Sequence, residues 1–202
     1  MWEQRGNPVT FFREVQAPRT GLFGFRPEKR RRIALPERIQ IADYDPRWPE
    51  QFQREAERVR AALGPRALRL EHTGSTSVPG LAAKPIIDML LVVADSADEP
   101  AYVPALAHSG YTLKIREPEW FEHRMFKGPD TDVNLHVFSS GCSEIARTLS
   151  FRDWLRASPA DRELYERTKR ALSLREWKNL QEYADAKTAV VEEILARARA
   201  AL

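Results

Sequence analysis

Cysteine is nearly missing from this 202-residue chain. Cys142 is the only one, so an internal disulfide and a cysteine-based zinc site are both excluded. A reducing, cytoplasmic compartment is the expected setting. The surrounding Ser140-Gly141-Cys142-Ser143 reads as a turn entering a helix. Long apolar runs are missing too. None reaches the roughly 18 residues that a membrane span needs. The longest, Pro85 to Ala94, has the length of a strand. The opening stretch MWEQRGNPVTFFREVQ holds no uninterrupted apolar segment and does not read as a signal peptide.

A basic excess is also missing from most of the chain. The formal net charge is +3, but residues 1–37 carry eight basic and four acidic side chains. That segment alone is +4, and the remainder sums to −1. A nucleic-acid-binding body usually shows a basic stripe, so the balance weighs against nucleic acid as the partner of the body. The arginine cluster Lys29 to Arg32 is the one feature that would support an RNA-linked role.

Residues 1–37 lack a sustained period of 2 or 3.6 and read as a basic, partly ordered N-terminal extension. Residues 38–202 read as one domain. Arg38 to Ala42 predicts a short strand. Asp45-Pro46 predicts a helix start, because Asp caps free N–H groups and Pro suits the first helical position. Trp48, Phe52, Ala56, Val59 and Leu63 then recur at helical spacing until Gly64-Pro65. Strands are predicted at Ala67–Thr73, Ile86–Val93, Tyr111–Ile115, Phe121–Lys127 and Val133–Phe138. Ser96-Ala-Asp-Glu99 has the form of a capping box opening a helix to about His108. From Ser143 onward the pattern is helical, with starts at Ser158 and Asn179. Strands mixed with helices, then helices alone, indicate an α/β or α+β fold with a helical C-terminal part.

The chemistry concentrates between His72 and Asp88. Gly74 allows a sharp turn and a close backbone approach to a ligand. Ser75, Thr76 and Ser77 add hydroxyls, and N–H groups leading into a helical turn favour phosphate. Lys84 supplies positive charge. Asp88 interrupts an apolar strand, where an unpaired carboxylate is costly and a metal ion or other cation offsets the cost. Asp88 also reads as a buried acid paired with His136, His72 or Lys84. On the strand Val133–Phe138, Asn134 and His136 share one face, and Val133, Leu135 and Val137 the other. If the apolar face packs on helices, Asn134 and His136 stand beside Asp88. His123 and Arg124 fit either a cover over phosphate or a surface strand pair. Lys187 fits either a ligand-facing position or an exposed helix position.

Gly74-Ser75, twelve residues, then Asp88 in an apolar strand resembles polymerase-beta-type nucleotidyltransferases. A broader resemblance is to the GrpB family of that superfamily. It is carried by Ala42-Asp-Tyr-Asp-Pro-Arg-Trp-Pro49, His72 to Asp88, Gly110-Tyr111, His123-Arg124, Asn134-Leu-His-Val137, Phe151-Arg-Asp-Trp-Leu-Arg156 and Tyr183-Ala-Asp-Ala-Lys187. The resemblance implies a nucleotidyltransferase-like mixed sheet flanked by helices. It implies Gly74-Ser75 as the turn that binds a nucleoside triphosphate or a phosphorylated small molecule, and the chemistry of Thr76, Ser77, Lys84, Arg124 and Lys187 makes them the further candidate binding residues. The placement of Asp88 and His136 makes them the candidate catalytic and metal-holding residues, with Mg2+ or another divalent ion as the expected metal. Some GrpB domains are fused to dephospho-coenzyme A kinase, which suggests a role near nucleotide-containing cofactors. One departure stands out: such enzymes usually carry a second carboxylate two residues after the first, and position 90 here is leucine. A binding module without transfer chemistry is therefore the alternative.

Overall fold

The computed structural model describes residues 39–201. The basic extension, and Arg38 at the start of the first expected strand, lie outside the described residues. Of that strand only an isolated bridge forms, Ala42 to Ala83.

Helix α1, Trp48–Leu63, buries the five expected apolar positions. It begins later than Asp45-Pro46 predicts. The Asp45 carboxylate accepts from the Arg47 backbone N–H and guanidinium instead of capping the helix, and Pro49 takes the first-turn position. Strand β1 is Arg69–Thr73 and β2 is Ile87–Val93. The expected helix from Ser96 to His108 forms as two pieces, a 3-10 turn at Glu99–Ala101 and α2 at Val103–His108. Pro100 and Pro104 lack the N–H groups that a continuous helix would use. Ser96 is drawn instead into bonds with Ser139 and Tyr102.

Strands β3 (Thr112–Glu117), β4 (His123–Lys127) and β5 (Val133–Ser139) follow. The predicted start of β4 at Phe121 is two residues early. Phe121 and Glu122 have φ of 55° and 51°, a left-handed turn that a strand cannot contain. Helices α3 (Ser143–Ala157), α4 (Pro159–Ser173), α5 (Leu180–Asp185) and α6 (Thr188–Ala200) complete the chain. Ser158 and Asn179 cap α4 and α5 as their sequence patterns predict.

The strand order is β1-β2-β5-β4-β3. β2 and β5 run parallel at its centre, and the other pairs are antiparallel. This is an α+β mixed sheet with a helical C-terminal part. Alternation decides the rest. Ile87, Met89 and Leu91 of β2 join Val133, Leu135 and Val137 of β5 in the core under α1 and α2. Leu90, Val92 and Phe138 point the other way, against Ile145 and Leu149 of α3. Asp88, Asn134 and His136 belong to that second face.

Candidate functional site

Register places the polar residues side by side. Asp88 is the parallel partner of Asn134, and Leu90 that of His136. Asn134 Nδ2 donates to Asp88 Oδ1 at 2.8 Å, and His136 Nε2 lies 3.9 Å from the same oxygen. Burial works against the charge on Asp88, but His136, Asn134 and Lys187 outweigh it and hold the carboxyl below its ordinary pKa.

The loop after β1 is shaped around this carboxylate. Gly74 has φ +65° and ψ −174°, a region open essentially to glycine alone. A Cβ built there would fall 2.2 Å from Asp88 Oδ2. Ser77 Oγ donates to the Gly74 carbonyl, and Arg156 of α3 donates to the Ser77 carbonyl. Further along, Ala82 N–H donates to Glu166 while Lys169 Nζ donates to the Ala82 carbonyl. Two helices thus clamp the loop from outside.

Above the polar floor is a cavity of about 190 Å3. Thr73, Gly74, Ser75, Asp88 and His136 form its polar side. Trp120, Phe138, Phe151, Leu155, Tyr165 and Val191 supply apolar walls. Lys187, at the junction of α5 and α6, lines the cavity with its Nζ over the Tyr183 ring at 4.7 Å. Burial pushes its pKa down to about 8, opposed by Asp88 and assisted by Lys84. Arg147 and Arg152 also reach the cavity, but each is held by carboxylates: Glu144 and Glu192 for the first, Glu71 and Asp153 for the second.

A family model described as GrpB protein matches residues 38–197. The chain belongs to the GrpB family. A UPF0157 protein of Halalkalibacterium halodurans is 65% identical over 162 residues, covering 80% of this chain and 83% of that protein. A UPF0157 protein of Streptomyces coelicolor is 46% identical, covering 84% and 90%. The crystal structure of GrpB from Enterococcus faecalis is 31% identical with a TM-score of 0.70, covering 79% of this chain and 96% of that one.

In this GrpB chain the structure gathers Gly74, Ser75, Asp88, His136 and Lys187 at one cavity. Four other sequence candidates stand apart from its lining. Thr76 Oγ1 is buried between the Ile86 carbonyl and His72. Ser77 is spent on the Gly74 carbonyl. Lys84 does not line the cavity and acts on it through its charge near Lys187. Arg124 faces the opposite side of the sheet, where its guanidinium meets Glu99 and Glu122. Its strand neighbour His123 points toward His136, so alternation sends Arg124 away. Trp120, Tyr165 and Phe151 line the site without having been singled out as site residues, while Asn134, which alternation places beside Asp88, supports it by donating to that carboxylate.

The residues suit one divalent ion better than two. Asp88 offers a carboxylate and His136 a ring nitrogen. Asn134 Oδ1 is buried without a hydrogen-bond partner, an orphaned oxygen beside Asp88. Among the described residues there is no group of three or more His, Cys, Asp or Glu able to hold a metal, and Leu90 is buried where a second carboxylate would stand. A mixed oxygen and imidazole set favours a transition-metal ion over Mg2+.

His72 sits on the α1 face of β1, its ring stacked on Phe52 at 4.8 Å, and supports the loop through Thr76. Burial, with Arg156 and Arg152 adding to it against Asp88, pushes its pKa down to about 4. The unfolded chain therefore binds this proton first, and stability falls as pH drops from about 6.5 to 4. His72→Phe keeps the stack and is expected to shrink that acid loss by about 3 kcal/mol. Urea unfolding at several pH values reads it; an unchanged acid limb would refute the assignment.

Proposed function

We propose that the cavity over Asp88 binds a nucleotide or phosphorylated small molecule, and that this chain carries out metal-assisted nucleotidyl or phosphoryl transfer on it. The observation that supports this most is the convergence of Asp88, Asn134 and His136 on one face of a central parallel strand pair, beneath a cavity that Lys187 also lines. The Gly74 turn leaves the backbone bare of a Cβ beside the cavity, so that backbone N–H groups there can approach a phosphate. Asp88 and His136 would hold the ion. When bound, a divalent ion would offset phosphate charge and polarise the attacked phosphorus.

The remaining work belongs to the chain's own groups. Lys187 offsets negative charge opposite Asp88. Ser75 and the Gly74 backbone orient the phosphate. Where Asp88 alone holds the ion, His136 Nε2 is instead the atom that takes or returns a proton at the cavity side. Trp120, Phe138, Phe151 and Tyr165 exclude water and give an apolar or aromatic part of the ligand a place to pack. Cytoplasmic residence fits the single cysteine, and no described helix is long and apolar enough to cross a membrane.

Leu90 favours a second reading, a binder that has dispensed with transfer. The two separate cleanly. Calorimetry with ATP, GTP, CTP and UTP, with and without Mg2+ or Mn2+, is expected to show metal-dependent binding that Asp88→Asn abolishes. Binding that ignores both the metal and the Asp88 substitution would leave the binder reading. A folded wild type that binds no nucleotide under any of these conditions would end the nucleotide reading.

A further inference from the structure

Behind His136 runs a line of polar groups that the proposed function leaves unused. His123 Nε2 lies 3.0 Å from His136 Nδ1, and His123 Nδ1 lies 2.8 Å from Glu117 Oε2. Asp88, His136, His123 and Glu117 therefore form a row from the cavity floor to the β3–β4 hairpin. The row is enclosed. The His123 side chain is 2% exposed and that of Glu117 is 9% exposed. Phe138 stacks on the His123 ring at 4.8 Å, and Trp120 meets it edge-on at 4.9 Å. The left-handed turn at Phe121 and Glu122 folds the hairpin back, with His123 N–H donating to the Trp120 carbonyl.

We propose that Glu117 and His123 are positioning residues that fix His136 in the tautomer protonated at Nδ1, leaving Nε2 as the atom that exchanges a proton or meets a cation in the cavity. A carboxylate has only lone pairs, so His123 Nδ1 must donate to Glu117. A buried imidazole between two aromatic rings is poorly placed to carry a charge, so the other nitrogen of His123 is an acceptor. His136 Nδ1 must then donate to it. This direction holds whether or not Nε2 carries a proton. In either case the exchanging atom is the one 3.9 Å from Asp88. The two imidazoles lie nearly coplanar, with centroids 5.2 Å apart and planes 19° apart, which is the arrangement an in-plane N–H···N bond needs. A free imidazole prefers the opposite tautomer, so the preference here is imposed by the row. Outer partners of this kind commonly set the tautomer and orientation of the inner ring.

The inference rests on the reading of the cavity as a chemical site, but its test does not need a ligand. Long-range proton–nitrogen correlation spectra of the 15N-labelled full chain near neutral pH report which imidazole nitrogen carries hydrogen. In the wild type, His136 is expected to show a protonated Nδ1 and a pyridine-like Nε2 signal. His123→Phe keeps a ring against Phe138 and removes the acceptor. In that variant the His136 proton is expected to move to Nε2, and its Nε2 signal to become pyrrole-like. Glu117→Leu, at the less buried end, is expected to leave His136 in a mixture of tautomers and carries the test if His123→Phe does not fold. A wild-type His136 protonated only at Nε2, or a signal unchanged in every folded variant, would overturn the proposal. Nucleotide titrations of the same samples separate the two ideas. The predicted tautomer without nucleotide binding removes the proposed ligand and keeps the positioning row, while binding without that tautomer does the reverse.

Discussion

Gly74→Ala is expected to lower stability by roughly 4 kcal/mol and to abolish ligand binding, two effects with one cause. The backbone at Gly74 occupies a region that L-residues enter at a cost of about 1–3 kcal/mol. The added methyl would also meet Asp88 Oδ2 at 2.2 Å and the Asp88 Cβ and Cγ at 2.9 Å each. Asp88 cannot retreat freely, because Asn134 holds one oxygen and β1 and β5 flank its strand. Either the loop lifts away or the carboxylate turns, and both disassemble the cavity floor. Gly80→Ala supplies the control. Gly80 also has positive φ, at +77°, but a Cβ there would meet nothing within 4 Å. Its cost should stay near the backbone contribution alone, about 1–2 kcal/mol, with binding retained. Denaturant unfolding and calorimetry on both variants read the contrast. Equal losses at the two glycines would mean that the contact with Asp88 contributes nothing.

The second large effect lies in the clamp. Lys169 is 2% exposed, holds the Ala82 carbonyl and sits 4.8 Å from the Tyr165 ring centroid. Burial is the main cause of its lowered pKa, about 7, with Lys187 and Arg170 adding to it against Glu166. The unfolded chain keeps this proton until about pH 10, so between pH 7 and 10 it binds more protons than the folded one. Stability therefore rises with pH across that window, by roughly 4 kcal/mol from this group, and is flat below it. Lys187, at about 8, adds a smaller rise in the same direction. Lys169→Met should remove most of the slope. At pH 10 it should be the less stable protein by about 1–3 kcal/mol, because the Ala82 carbonyl loses its partner. By pH 7 that deficit should vanish or reverse. Urea unfolding at pH 7, 8, 9 and 10 decides it, and parallel wild-type and variant curves would sink the idea.

Much of this arrangement was legible in the sequence, and the reason is periodicity. The alternation in Val133–Phe138 assigns Asn134 and His136 to the face of Asp88, and the structure keeps that assignment through the register Asp88 to Asn134. The stripe from Trp48 to Leu63 likewise places α1 on the core. What escaped is what depends on contacts between segments far apart in the chain. Glu117 and His123 matter only because β4 lies next to β5 and the hairpin turns back on itself. The grouping of Arg124 with the site failed on a rule that was available: adjacent strand residues face opposite ways, so His123 and Arg124 could not both serve one face. Lys169 carries no local signal at all, being one of several lysines and arginines on α4. The split helix after Ser96 shows a capping pattern losing to two prolines.

The cavity also joins two stretches of very different character. Its floor comes from β1, β2 and β5, whose residues are locked by ladder bonds and by the shape of the turn at Gly74. Much of its wall comes from α3, α4 and the α5–α6 junction, joined to the floor by side-chain packing. Substitutions at Phe151, Leu155 or Val191 reshape the space without touching a hydrogen bond that holds Asp88 or His136. If the proposed function holds, ligand preference and reactive chemistry can therefore drift independently in descendants of this chain. Relatives with the same floor need not share a substrate.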